Sequence, residues 1–123
     1  MTVKEAEKLV TRICIVLDFS VKKLKSKSRE SDIILQRRAF IRLLSNTGMT
    51  TKNVGLVFDK DHSSVIFNNR RHKDLLYIKD KIYISMFKRI KKEFIIRRES
   101  TKENKKLENE IQYLKEQINI LNK

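Results

Sequence analysis

Proline is absent from this sequence, glycine occurs only at Gly48 and Gly55, and tryptophan is missing altogether. A many-stranded sheet protein reverses its chain with glycine-rich and proline-containing turns, so two glycines in 123 residues argue against one and leave helix as the expectation. The single cysteine, Cys14, lies inside the apolar run Ile13-Cys14-Ile15-Val16-Leu17. It rules out a disulfide framework and a CxxC zinc site, and it reads as a small buried apolar residue. No apolar run approaches the ~18 residues of a membrane span, and Met1-Thr2-Val3-Lys4-Glu5 lacks the charged-then-apolar order of a signal peptide. A cytoplasmic protein with no membrane partner is expected. No paired carboxylates, activated nucleophile or metal cluster can be assembled, so no enzyme, cofactor or metal is expected. His72 reads as an exposed helical residue rather than a ligand.

What the sequence has in excess is positive charge. Lysine and arginine number 29 against 15 acids, a formal net charge of +14. Residues 100–123 carry five lysines and four glutamates, so 13 of those net charges fall in residues 1–99. A cationic body of this size points to a polyanionic partner.

The pattern of apolar residues divides the chain into helices. Thr2 and Glu5 form a capping box before Leu9, Ile13, Val16 and Leu17, predicting a helix over Val3–Leu17. Ser20 caps a short turn over Val21–Leu24, and the polar stretch Lys25–Ser31 reads as a loop. From Asp32 onward, Ile33, Ile34, Phe40, Ile41 and Leu44 fall on one side of a helix, with Arg38 and Arg42 on the other. Arg37 lands within the apolar stripe, so either its stem lies along the core edge or its guanidinium has a specific partner. Gly48 ends this helix, Thr50 caps a short one carrying Val54, Val57 and Phe58, and Asp61 caps the next. That helix is expected to turn Val65, Ile66, Leu75 and Leu76 inward and Asn68, Asn69, Arg70, Arg71 and Lys73 outward. Two helices joined by a short polar turn make a helix-turn-helix.

Three segments follow from this reading: a helix-turn-helix domain over 1–78, a basic amphipathic helix over 79–99 with Ile82, Phe87, Ile90 and Phe94 on its apolar side, and a short coiled coil over 100–123. In the last, Leu107, Ile111, Leu114, Ile118 and Leu121 recur in steps of four and three, with isoleucine at a and leucine at d. Asn104 occupies the preceding a position, and Glu110 at g faces Lys115 at e of a parallel partner, while Glu103 and Glu108 repel. Either two copies pair through this stripe as a homodimer, or the helix folds back on its own domain.

The stretch from Val21 to Leu75 resembles the C-terminal, DNA-binding domain of the bacterial replication initiator DnaA. The resemblance rests on the basic loop Leu24-Lys25-Ser26-Lys27-Ser28-Arg29, on Arg37, on Thr47-Gly48-Met49-Thr50, on Val54-Gly55 with Phe58, and above all on Lys60-Asp61-His62-Ser63-Ser64-Val65. It implies a double-stranded DNA partner, base contacts from Lys60, Asp61, His62, Ser63 and Ser64 in the major groove, and entry of Arg29 into the minor groove. Chemistry agrees with the first set: Asp61 can accept from a cytosine amino group, His62 can donate, and the serines suit bases or phosphates. Lys27, Arg37, Arg38, Thr51, Lys52, Arg70 and Arg71 are the candidates for phosphates.

The sequence departs from the family's pattern in places. Serines replace two threonines, Lys60 replaces an arginine, and Asp59 stands alone where two glycines are usual, so the turn is about one residue shorter. No glycine-rich phosphate loop followed by Lys-Ser or Lys-Thr occurs, so no nucleotide-binding motor is expected. The expected function is sequence-specific binding of duplex DNA at a replication origin or regulatory site. The alternatives are nonspecific nucleic-acid binding and an adaptor that recruits a partner through the C-terminal heptads.

Overall fold

The computed structural model describes the backbone of residues 1–121 and the side chains of residues 1–98 and 109–117. Six helices follow in chain order: α1 (Val3–Leu17), α2 (Val21–Lys25), α3 (Ser31–Ser45), α4 (Thr51–Val57), α5 (His62–Tyr77) and α6 (Lys81–Leu121). No strand occurs among the described residues, and none of the helices is long and apolar enough to cross a membrane.

Without proline, five of the six helix starts are capped by short oxygen-bearing side chains, and α3 begins without a side-chain cap. Thr2 accepts from the Glu5 amide at 3.2 Å, Ser20 from Lys23 at 3.2 Å and Thr50 from Asn53 at 3.2 Å. Asp61 accepts from Ser64 at 2.9 Å and Asp80 from Tyr83 at 2.9 Å. Each cap satisfies an amide that the helix itself leaves without an acceptor, a contribution of about 1 kcal/mol. With so little glycine, the left-handed turns fall mainly to other residues: Asp18, Asp59 and Lys79 have φ of 59°, 53° and 57°, beside Gly48 at 91°. Gly55 is needed for a different reason. A Cβ there would lie 2.4 Å from the Lys60 carbonyl oxygen, so the backbone of α4 is pressed against the turn that follows it.

Helix α3 runs through the middle of the fold, against α2, α4, α5 and α6. Its Phe40, Ile41 and Leu44 meet Ile13 of α1, Val54 and Val57 of α4, Val65 of α5 and Tyr83, Ile90 and Phe94 of α6 in one core. Cys14 is buried among these residues, and burial pushes its thiol up to about 11.

The structure corrects several facing assignments. Arg38, Asn68 and His72 were expected outside but are buried, and Ile66, Leu76 and Ile82 were expected inside but are exposed. The reason is a polar chain through the interior: Arg38 Nε donates to Asn68 Oδ1 at 3.2 Å, and Asn68 Nδ2 donates to the Ser64 carbonyl at 2.9 Å. One helical turn on, His72 Nδ1 pairs with the Tyr83 hydroxyl, and its ring packs 4.7 Å from that of Phe87. In α6 the buried positions are accordingly Tyr83, Ile90 and Phe94, a register that leaves Ile82 outside. The helix itself continues unbroken across the expected division near residue 100.

Burial, with the cations Arg42, Arg38 and Lys73 nearby, pushes His72 down to about 4. The ring is neutral in the fold, and its Nδ1 shares one hydrogen bond with the Tyr83 hydroxyl, whose own pKa burial raises. Since the folded value lies below the ordinary 6.5, the unfolded chain binds a proton between the two that the folded chain refuses. This stabilisation is complete above about pH 6.5 and is lost as pH falls toward 4. His72→Gln keeps a partner for Tyr83 without titrating. Between about pH 7 and about pH 5, urea unfolding is expected to show the natural chain losing about 2 kcal/mol more than the variant; parallel losses would contradict the assignment.

Candidate nucleic-acid interface

Helices α4 and α5 with the turn Phe58–Asp61 form the helix-turn-helix, and its geometry is fixed from several sides. The Gly55 carbonyl accepts from the amides of Phe58 at 3.1 Å and Lys60 at 2.9 Å, closing the turn. Asp59 takes the left-handed conformation, which a short polar side chain tolerates. Asp61 then caps α5.

The basic loop before α3 is built on serines. Ser26 Oγ donates to the Lys23 carbonyl at 2.6 Å and accepts from the Ser28 amide at 3.1 Å, and Ser28 Oγ accepts from the Glu30 amide at 3.3 Å. Arg37 reaches this loop from α3. Its Nε donates to the Leu24 carbonyl at 2.8 Å, and Nη2 donates to those of Lys23 and Ser26 at 3.2 and 3.1 Å. The Ser26 carbonyl also accepts from Lys60 Nζ at 2.6 Å. A single carbonyl oxygen therefore joins the loop, the central helix and the residue just before the cap of α5.

This arrangement answers the open question about Arg37 and revises three site assignments. Arg37 is 7% exposed and spends its guanidinium on backbone carbonyls, so it positions the loop instead of meeting phosphate. Arg38, buried against Asn68, does the same for α5. Lys60 is directed to Ser26 rather than toward a base edge; burial and the neighbouring Arg37 lower its pKa. Two cations sharing one acceptor next to Lys27 leave a positive field at the loop that an approaching anion relieves.

The remaining candidates are placed as follows. Arg29 and Lys27 are exposed on the loop, Thr51 and Lys52 are exposed in the first turn of α4, and Asp61, His62 and Ser63 are exposed at the start of α5. Ser64 is half-buried, with its amide on Asp61 and its carbonyl on Asn68. Arg70 and Arg71 are exposed farther along, Arg71 beside Asp74 at 3.6 Å. Ile66 and Phe67 are also exposed, at 45% and 56%, beside the candidates at the start of α5. Their spacing from Ser63 and Arg70 puts all four on the side of α5 opposite the buried Val65, Asn68 and His72, and that period was hidden because apolar residues occupy both sides. Of the dimerisation set, Ile111 and Leu114 are exposed, whereas the side chains of Leu107, Ile118 and Leu121 lie outside the described residues. Among the described residues no group of His, Cys, Asp or Glu is placed to hold a metal ion.

The separation of positioning from exposed cations has a measurable consequence. Arg37→Met removes three hydrogen bonds, takes from the Leu24 carbonyl its guanidinium donor while Lys23 and Ser26 keep other donors, and is expected to lower stability by about 2–4 kcal/mol, whereas Lys60→Met is expected to cost about 1 kcal/mol. Lys27→Met, at an exposed site, should stay within about 0.5 kcal/mol of the natural chain. Equal urea midpoints for the Arg37 and Lys27 variants would contradict the positioning role.

Comparison with known proteins agrees with this geometry. No curated protein and no solved structure matches the chain. One family does, described as the bacterial dnaA protein helix-turn-helix, and its match covers residues 6–71, from within α1 to within α5. That span is more than half of the 123 residues and takes in the loop, the central helix and the whole turn. The chain belongs to the bacterial DnaA helix-turn-helix family, a family of double-stranded DNA-binding domains.

Proposed function

We propose that this protein binds duplex DNA sequence-specifically, at a replication origin or regulatory site, with the start of α5 in the major groove. The observation that carries this reading is the tie between the basic loop and the turn through the Ser26 carbonyl. It fixes Arg29 and Lys27 relative to Asp61, His62 and Ser63, and fixed relative geometry is what base readout requires beyond mere attraction to phosphate. A purely electrostatic binder has no need of such a constraint.

In this reading His62 and Ser63 meet base edges, and the Asp61 carboxylate divides its capacity between the Ser64 amide and a cytosine amino group. The half-buried Ser64 presents its hydroxyl at the groove margin. Arg29 lies in the adjacent minor groove, while Lys27, Thr51, Lys52, Arg70 and Arg71 meet phosphates. Ile66 and Phe67 continue the face of Ser63 by one turn and offer apolar contact to thymine methyl groups. The serines at 63 and 64 lack the methyl groups of the threonines they stand in for, so apolar readout shifts along the helix.

Selection of bound duplexes from a random pool at about 150 mM salt tests the proposal. His62→Ala with Ser63→Ala is the informative variant, because it leaves the Asp61 cap in place. The natural chain is expected to enrich one motif and the variant to lose preference at two or three of its positions, each base contact being worth about tenfold. Phe67→Ala is expected to relax a thymine preference next to those positions. Enrichment of no motif, with the variant binding equally well, would leave a nonspecific nucleic-acid binder and sink the reading.

A further inference from the structure

Helix α6 carries two apolar stripes that face different ways. Tyr83, Ile90 and Phe94 pack into the core, whereas Ile111 and Leu114 are 53% and 59% exposed. With 3.6 residues per turn, the second stripe is rotated by roughly 110° from the first, and Ile111 lies about 25 Å beyond Phe94 along the axis. The helix is unbroken between them. A continuous helix cannot return its far end to its own core, so whatever covers the second stripe comes from another molecule.

The sequence of that stripe specifies the partner. Asn104, Leu107, Ile111, Leu114, Ile118 and Leu121 occupy successive a and d positions, and isoleucine at a with leucine at d favours two parallel strands. Glu110 at g and Lys115 at e are both exposed. In a parallel pair each faces the other's counterpart, so two-fold symmetry makes the attraction twice over. Glu103 meets Glu108 in the same geometry, which confines the attraction to the distal heptads, and Asn104 at a sets the register.

We infer that the distal part of α6 pairs in parallel with the same segment of a second copy of this chain. The pair carries both helix-turn-helix domains on the same end of the coil. Only the consequence for DNA rests on the reading proposed above: two linked domains prefer two half-sites, because binding of the first raises the effective concentration of the second.

Charge exchange tests the pairing on the full chain. Sedimentation equilibrium without DNA is expected to show a monomer–dimer equilibrium for the natural protein. Glu110→Lys and Lys115→Glu should each weaken it about tenfold, since both symmetric attractions become repulsions. Mixing the two variants should restore dimers, because each then supplies the charge that the other lacks. A natural chain that stays monomeric at every concentration overturns the inference, as does a mixture no tighter than its components. Affinity for a duplex with a single selected site keeps the two proposals apart. If dimers form and exchange as expected but no sequence is preferred, the DNA reading fails alone; if the selected site binds normally to a strictly monomeric chain, the pairing fails alone.

Discussion

The guanidinium of Arg37 in the carbonyl cage of Lys23, Leu24 and Ser26 is the interaction on which the surface formed by the basic loop and the helix-turn-helix depends. A loop with the composition Lys-Ser-Lys-Ser-Arg has no apolar side chain to anchor it, and its like charges repel. It is held from beneath by a cation that accepts no competing hydrogen bond and cannot lose its proton at working pH. The next residue does the equivalent for α5. Successive residues of a helix point about 100° apart, so Arg37 reaches toward the loop while Arg38 reaches Asn68. Helix α3 thereby sets both halves of the surface from one rigid element.

Burying two arginines in a chain of net charge +14 has an electrostatic cost. Desolvation lowers the pKa of both, and Lys60 is pressed against Arg37 through their shared acceptor. Such a site is poised to gain from a polyanion, since phosphates relieve repulsion that the fold offsets by hydrogen bonding and by the nearby carboxylate of Asp59. Lys27, Arg29, Lys52 and Arg70 are among the cations that remain exposed.

Helix boundaries were legible because they are written locally. Thr2, Ser20, Thr50 and Asp61 each stand three residues before the amide they cap, and Gly48 marks the one turn where glycine itself takes the left-handed role. Facing was less legible where a polar residue finds its partner far along the chain. Arg38 and Asn68 are 30 positions apart, and His72 and Tyr83 are 11, so nothing in a helical window distinguishes them from solvated residues. With Asn68 read as outward, Ile66 falls inward by default, whereas in the fold Asn68 is buried and Ile66 is exposed. For Arg37 the pattern did better: a cation within an apolar stripe posed the right alternatives, and the carbonyl cage selects between them. For Lys60 the resemblance to the family suggested base contact, but the length of its side chain and the nearness of the Ser26 carbonyl direct it to the loop.

The shortened turn makes Lys60 more than a substitute for arginine. Its amide closes the turn on the Gly55 carbonyl at 2.9 Å, its own carbonyl lies where any side chain at position 55 would have to go, and its ammonium group holds Ser26 at 2.6 Å. A turn with two glycines has conformational freedom to lose on folding; here that freedom is limited by one aspartate in the left-handed region and one lysine bonded at both ends. The angle between α4 and α5 and the distance from the loop to α5 are consequently set by the same residue. A change in either moves the exposed His62 relative to the exposed Arg29, so under the proposed mode of binding the turn bears on sequence preference through geometry rather than through contact.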